Sequence, residues 1–116
     1  MTLVGYVTSW ATEYASGIEH AAKLGGNAIE EYLFDVDTQW TFKVNKRGEF
    51  CGAQVEFAYS PKVTFNSYTG ILRARDASAK HCAVVSVKVS DEAREEFNAY
   101  FADVFELAQA CGDIPA

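Results

Sequence analysis

The spacing of apolar residues changes twice along this chain, and this change limits the possible folds more than any other feature of the sequence. Up to about residue 35, and again after Ser90, apolar residues recur in steps of three and four, as in amphipathic helices. Between residues 40 and 89 they alternate with polar residues, as in half-buried strands. One block of strands between helices favours an α+β fold: an antiparallel sheet of four or five strands, with N-terminal helices and one long C-terminal helix packed on one face.

The N-terminal region is predicted to form two helices. The first would end at Gly25–Gly26, since glycine readily adopts the left-handed conformation of a helix C-cap. The second would begin at Asn27, which is predicted to form a capping box with Glu30, and would end by Asp35. The predicted buried face of the first helix comprises Leu3, Val7, Trp10, Tyr14, Ile18, Ala21 and Leu24.

The middle of the chain is predicted to form the sheet in meander order. Alternation of apolar and polar residues gives a hairpin around a turn at residues 45–48, with Gly52 as a possible bulge, and three further strands. The predicted strand segments are Trp40–Val44, Val55–Tyr59, Lys62–Phe65, Ile71–Arg75 and His81–Val89.

The last helix is predicted to begin after Ser90, whose side chain is well suited to an N-cap, and to end at Gly112. Asp91 and Glu92 in its first turn are favourable against the helix dipole. Its predicted buried stripe comprises Ala93, Phe97, Tyr100, Phe101, Val104, Leu107, Ala108 and Cys111.

Composition narrows the class of protein further. The 116 residues contain no repeat or Pro/Ser-rich linker, which predicts a single domain over residues 1–116, and the hydrophobic content of 49% excludes intrinsic disorder. No apolar run reaches the roughly 18–20 residues of a membrane span, and no basic residue precedes the first apolar stretch, so we expect neither membrane insertion nor a secretory signal. The widely separated Cys51, Cys82 and Cys111 fit a reducing compartment, so we expect the protein to be cytoplasmic.

Charge is sharply divided along the chain. Residues 1–37 contain six acidic and one basic residue, and residues 90–116 contain seven acidic and one basic residue. The strand region 38–89 has the opposite balance, with three acidic and eight basic residues. The predicted molecule is therefore an acidic helical layer on a basic sheet.

The acidic helices are open to two interpretations. They form either an ordinary solvated face or a surface that attracts a basic partner, including a protein whose nucleic-acid groove it would fill in place of phosphates. The second interpretation is favoured by the lack of compensating bases, since like charges four residues apart destabilise a helix. The residues concerned are Glu92, Glu95, Glu96, Asp103 and Glu106 on the last helix, with Glu30, Glu31, Asp35 and Asp37 as a second patch.

The basic strands give an alternative, a nucleic-acid-binding sheet. Lys43, Arg73, Arg75 and Lys88 would share the face that the helices leave open, where they could follow a phosphate backbone. Binding of single strands also needs exposed aromatics for base stacking, and the alternating aromatics fall on the predicted buried side. This placement argues against direct nucleic-acid binding. A small ligand-binding domain is a further alternative.

The sequence predicts no catalytic, metal or cofactor site. His81 and Cys82 are adjacent strand residues, so their side chains would point to opposite faces and could not form a nucleophile pair. No cluster of His, Cys and carboxylate residues has metal-ligand spacing. Tyr68, and Tyr32 or Phe34 beside Asp35, are candidate exposed anchors for a protein interface.

Four segments resemble a known class of proteins. These are Glu30–Asp35, Arg47–Ala53, Thr64–Ser67 and the acidic helix Glu95–Phe101, which together lie within residues 27–107. They resemble small acidic accessory proteins of phages and mobile elements, among which anti-CRISPR and other anti-defence inhibitors are found. The resemblance implies an inhibitor that acts by binding, without catalytic residues. The preferred hypothesis is therefore a non-enzymatic module whose acidic helices dock on a basic CRISPR effector or other nuclease and occlude its nucleic acid.

Overall fold

The computed structural model describes residues 3–58, 62–76 and 83–112. Three helices and five strands follow the order expected from the apolar spacing, so the predicted α+β fold is confirmed. The predicted strand residues Tyr59, His81 and Cys82 lie outside the described residues. The elements are α1 (Leu3–Leu24), α2 (Ala28–Asp35), β1 (Thr38–Val44), β2 (Phe50–Phe57), β3 (Lys62–Asn66), β4 (Ile71–Asp76), β5 (Ala83–Lys88) and α3 (Asp91–Ala110).

The five strands form one antiparallel sheet in the order β1-β2-β3-β4-β5. The register between β1 and β2 shifts after Phe42, where Gly52 adopts a positive φ of 97°. A Cβ at this glycine would lie 2.6 Å from the Cβ of Tyr68, so the bulge and the β3–β4 turn pack too closely for a side chain. The predicted bulge at Gly52 is therefore confirmed.

All three helices cover the same face of the sheet. α1 packs across β4 and β5, and α2 packs on α1. α3 lies over β1 and β2, where Phe101 contacts Trp40 with ring centroids 5.3 Å apart and Phe105 contacts Phe42 at 5.1 Å. Because every second strand residue faces these helices, the intervening residues form a face that no described helix covers.

A buried hydroxyl joins α3 to the sheet. The backbone N–H of Ala53 donates to Ser67 Oγ at 2.9 Å, and Ser67 Oγ lies 3.0 Å from Asn98 Oδ1 on α3, to which it donates. Ser67 is fully buried, so this pair of bonds fixes the β3–β4 turn between β2 and α3.

The helix ends agree with the prediction except at α2. Ser90 caps α3 by accepting from the Ala93 N–H at 3.2 Å, and α1 ends before Gly25, whose φ is 66°. The predicted capping box at Asn27 is wrong, because the Asn27 side chain makes no capping bond. Its backbone, at φ −85° and ψ 3°, already turns towards the helix instead of taking the extended conformation that aims a capping side chain.

Three residues predicted to be buried are exposed instead, namely Leu24, Leu107 and Cys111, and Val44 at the end of β1 is exposed as well. On α3 the buried stripe follows Ala93, Phe97, Phe101 and Phe105, in steps of four. Steps of four rotate slowly around a helix, and the stripe therefore turns towards the aromatics of β1 and β2 and away from Leu107.

Candidate binding surfaces

The five acidic residues predicted on the last helix all lie exposed on α3, opposite its phenylalanine stripe. The N-terminus of this helix is held by α1 as well as by its own cap: Glu19 accepts hydrogen bonds from the Ser90 N–H at 2.6 Å and the Ser90 hydroxyl at 2.9 Å. A helix anchored at its end and along its buried face presents its outer side chains in fixed positions.

The acidic residues of α3 differ in their partners. Glu95 lies 3.5 Å from the Arg94 guanidinium, and Asp91 pairs with both Lys88 and Arg94 at 3.7 and 3.9 Å. No basic side chain of the described residues forms an ion pair with the other four carboxylates. These are Glu92, Glu96, Asp103 and Glu106.

α2 carries the second acidic patch. Glu30, Glu31 and Asp35 are exposed and, with Asn27 and Phe34, line an open groove of about 420 Å³. Phe34 is 85% exposed between these carboxylates, so its predicted exposure is confirmed.

Asp37, the fourth residue predicted in this patch, lies apart from the groove. It follows α2 and is exposed, with a φ of 55°. Its carbonyl accepts from the Ala58 N–H at 3.0 Å, which places this residue beside the end of β2. The structure therefore does not bring it into the groove with the other three acids.

Tyr32 connects α2 with both of the other helices. The Tyr32 ring meets the edge of Phe97 on α3 at 6.5 Å, and its hydroxyl donates to the Tyr14 carbonyl on α1 at 3.1 Å. Tyr32 is half-buried, so Phe34 is the exposed residue of the two predicted alternatives. Burial, and to a smaller extent the Glu30 carboxylate, raise the pKa of Tyr100 on α3.

Both α2 and α3 belong to the helical layer, and each carries an acidic patch. We call the combined set the acidic helical surface. It comprises Glu30, Glu31, Asp35, Glu92, Glu95, Glu96, Asp103 and Glu106.

Large apolar residues are also exposed at the helices and at one turn. Leu107 is 65% exposed and follows Asp103 and Glu106 on α3. Tyr68 is 56% exposed in the β3–β4 turn, next to the Arg94 side of α3. Phe34 and Leu107 therefore place apolar side chains among carboxylates, whereas Tyr68 is part of a different region.

The uncovered side of the sheet, which we call the open sheet face, carries the predicted basic residues. Lys43, Arg73, Arg75 and Lys88 are all exposed there. Arg73 and Arg75 are neighbours on the outer side of β4, whereas Lys88 lies on the edge strand β5 and pairs with Asp91. Lys43 lies on β1, at the opposite edge of the sheet.

Two residues that the sequence prediction omitted complete a cluster with the arginines. Lys62 on β3 lies directly opposite Arg75, and Thr64 lies opposite Arg73. Together with Val84 on β5, these side chains line an open depression of about 180 Å³. We call Lys62, Arg73 and Arg75 the cationic cluster.

The pairing of the cluster could have been found from the sequence. A turn of known length fixes which residues of a hairpin face each other, and the predicted strands Lys62–Phe65 and Ile71–Arg75 leave a turn at residues 66–70.

The described residues contain no candidate metal centre. No group of three or more His, Cys, Asp or Glu residues among them is placed to hold a metal ion. Cys51 and Cys111 are free thiols. None of the described helices is both long and apolar enough to cross a membrane.

Comparison of this chain with protein-family models, with curated proteins and with solved structures gives no match.

Proposed function

We propose that this chain is a non-catalytic inhibitor that docks its acidic helical surface on a basic nucleic-acid-handling protein and blocks access of the nucleic acid. The proposal depends on one observation above all. Glu96 and Asp103 are exposed without a described basic partner, on a helix that is held by a buried stripe and whose neighbour α2 adds three further carboxylates.

Fixed carboxylates suit such a surface because they can replace phosphates in a basic groove. Charge-assisted bonds to arginine and lysine are stronger than neutral ones, and a bidentate arginine contact also fixes orientation. A rigid helix presents these groups without the loss of conformational entropy that a flexible acidic tail would have on binding. Long-range attraction would also accelerate encounter at low salt.

Apolar contacts would supply the part of the binding energy that is insensitive to salt. Phe34 lies among the carboxylates of α2 and Leu107 among those of α3, and both side chains are mostly exposed. Burial of such a side chain on binding stabilises a complex by about 1.5–3 kcal/mol. An aromatic anchor surrounded by charge is typical of an interface hot spot.

The segments that resemble anti-CRISPR and other anti-defence proteins extend the proposal to a biological setting. The chain would act in the bacterial cytoplasm as an accessory protein of a phage or mobile element. Its partner would be a CRISPR effector or another nuclease. The free thiols of Cys51 and Cys111 suit such a reducing compartment.

The proposal is tested by capture of partners from a bacterial lysate, with a charge-reversed variant as comparison. The variant is Glu96→Lys/Asp103→Lys; Glu95 is left intact because it pairs with Arg94. The matched control is Glu13→Lys/Glu49→Lys, which changes net charge equally at two exposed residues outside the acidic helical surface.

We expect wild type and control to retain the same basic nucleic-acid-handling protein, identified by mass spectrometry, at low salt but not at high salt. The Glu96→Lys/Asp103→Lys variant should fail to retain this partner at either salt concentration. Purified partner should then lose nucleic-acid binding when wild-type protein is added. Equal retention by both variants, or a captured partner that still binds its nucleic acid normally, would refute the proposal.

A further inference from the structure

The outer edge of β1 has backbone groups that no described strand uses. β1 lies at one end of the sheet and pairs with β2 alone among the described strands. The Asp37 carbonyl accepts from the Ala58 N–H at 3.0 Å, in the register of this ladder. Bonded and non-bonded residue pairs alternate along antiparallel strands, so the N–H and C=O groups of Trp40 and Phe42 point away from β2. A row of such groups is a template for pairing with a further strand.

One flank of α3 faces outwards beyond this edge. The phenylalanine stripe of the helix packs on the aromatic residues of β1. On one side of the stripe, Asn98 reaches inwards to the β3–β4 turn through its bond with Ser67. Because the helix has 3.6 residues per turn, Val104 and Leu107 lie on the other side of the stripe, which we call the outer flank. A further strand paired with β1, at a spacing of about 4.8 Å, would lie beneath the outer flank.

Apolar side chains are exposed along this edge. Val44 at the end of β1 is 53% exposed, and Leu107 on the outer flank is 65% exposed. Cys111, one turn after Leu107, is an exposed free thiol. Leu107 and Cys111 belong to the stripe that the sequence predicts to be buried, so the apolar pattern is that of a covered surface. A strand added to β1 would provide such a cover.

The charges beside the edge favour a basic occupant. Glu96 and Asp103 lie on the outward side of α3, exposed and without a described basic partner. A lysine or arginine on an added strand can lay its alkyl stem along Leu107 and reach these carboxylates with its charged end. The one charged residue of β1, Lys43, lies in the alternation that faces the open sheet face and so does not oppose this contact. A second copy of the chain would instead bring its own net charge of −6.

From this arrangement we propose that β1 pairs with an extended basic segment of the partner protein, which adds a strand to the sheet beneath the outer flank of α3. The inference rests on the proposed inhibitor function and specifies how the partner docks. Main-chain hydrogen bonds with Trp40 and Phe42 supply affinity, and alternate lysine or arginine side chains of the segment face α3. Its remaining side chains lie beside the exposed Gln39, Thr41 and Lys43, so they are polar.

The test is hydrogen exchange of backbone amides, followed by NMR with and without a short synthetic peptide of alternating lysine and threonine. In the free protein, Gln39 and Thr41 should exchange slowly because their N–H groups face β2, whereas Trp40 and Phe42 should exchange fast. Peptide at about ten times its Kd should slow Trp40 and Phe42 roughly tenfold, since exchange then occurs from the unbound fraction. The internal control is Ser86, whose N–H points outwards at the opposite edge, on β5, and whose exchange should not change.

A second peptide, with the same side chains and a fully N-methylated backbone, separates strand addition from charge attraction. It keeps every lysine but has no main-chain donor, so it should not bind. Leu107→Ala should weaken binding of the unmodified peptide roughly fourfold, as expected for the loss of one buried methylene. The matched control is Leu24→Ala, because Leu24 is also 65% exposed but lies at the end of α1. Fluorescence anisotropy of the labelled peptides measures these affinities.

Circular dichroism of each variant checks the fold. No binding of the unmodified peptide by folded wild type, equal binding of the N-methylated peptide, equal slowing at Ser86, or an equal loss in Leu24→Ala would overturn the inference. Protection of Trp40 and Phe42 in the free protein that increases with protein concentration would assign the edge to a second copy and would also overturn it. Capture of a basic partner without peptide addition refutes this inference alone, whereas peptide addition without such capture supports the strand site and refutes the inhibitor function.

Discussion

The acidic helical surface and the open sheet face carry opposite charge, and the structure fixes the two charge patterns by different means. On the helices, Tyr32 positions α2, because its hydroxyl donates to the Tyr14 carbonyl on α1 and its ring contacts Phe97 on α3. On the sheet, the cations are fixed relative to one another by backbone pairing between β3 and β4. The acidic pattern therefore depends on helix packing, whereas the basic pattern depends on strand register.

Both surfaces nevertheless rest on a single hydrophobic core. Phe97 and Phe101 of α3 pack on the sheet through Phe65 and Trp40, at ring-centroid distances of 5.7 and 5.3 Å. A change in this layer should disturb both surfaces together, whereas a change in an outer side chain should disturb only one. Substitutions can separate these cases.

The largest effect is expected from Phe101→Ala. The side chain is fully buried between α3 and β1, and its removal should lower the free energy of unfolding by about 3–5 kcal/mol. Phe34→Ala removes the same atoms from a side chain that is 85% exposed, and we expect a change below about 0.5 kcal/mol. Urea unfolding followed by circular dichroism measures both. Similar losses for the two variants would show that Phe34 is part of the core and not a surface anchor.

A smaller effect, confined to the helices, is expected from Tyr32→Phe. At neutral pH the variant loses the hydroxyl bond to the Tyr14 carbonyl and should be less stable by about 1 kcal/mol. Burial, with smaller contributions from Tyr14 and Glu13, raises the pKa of Tyr32 above its ordinary value of 10.0. The folded protein therefore retains this proton when the unfolded chain releases it, and wild type loses stability as pH rises above that value.

The comparison of the two proteins across pH isolates Tyr32. Above about pH 10 the free energy of unfolding of the wild type should fall faster than that of the variant, by at most about 1.4 kcal/mol per pH unit. The observed difference should be smaller than this limit, because Tyr32 is partly exposed to solvent. The stability difference at neutral pH should therefore shrink in alkali. A difference that stays constant from neutral to alkaline pH would mean that Tyr32 is not buried against α1 and α3 as described.

The sequence predicted much of the molecule because most elements have a strong local pattern. The long helices have apolar steps of three and four, Ser90 is a typical N-cap, and Gly52 marked the bulge. The local pattern gave wrong predictions where tertiary packing determines which residues are buried. Leu107 fits the spacing of the buried stripe, but Phe105 takes that position because Phe42 and Phe50 of the neighbouring strands contact it.

The surfaces were predictable to a lesser degree for the same reason. The exposure of the α3 carboxylates follows from helical spacing alone, since they lie opposite the apolar stripe. How α2 packs against the other helices is determined by no local pattern. The cationic cluster also needed a pairing of strands: Arg73 and Arg75 are visible as alternating residues, but Lys62 joins them only through the β3–β4 register.

The smallest expected effect is a change in the free energy of unfolding on Glu96→Lys. It tests whether the repulsion between carboxylates on α3 lowers the stability of the fold. Glu92 and Glu96 are four residues apart, exposed, and not paired with a described base. Glu96→Lys converts this repulsion into an attraction in the favourable order, with the acid preceding the base, and should stabilise the fold by about 0.2–0.5 kcal/mol at low salt. The gain should disappear at high salt, where exposed charges are screened.

Chemical denaturation of wild type and Glu96→Lys at two salt concentrations measures this gain, with Glu96→Gln to separate the loss of repulsion from the new attraction. If Glu96→Lys is more stable but captures the basic partner less well, the exposed carboxylate serves binding at the expense of folding. If the variant is more stable and captures the partner equally well, Glu96 belongs to a solvated face, and the interface must be sought around Phe34 and the carboxylates of α2.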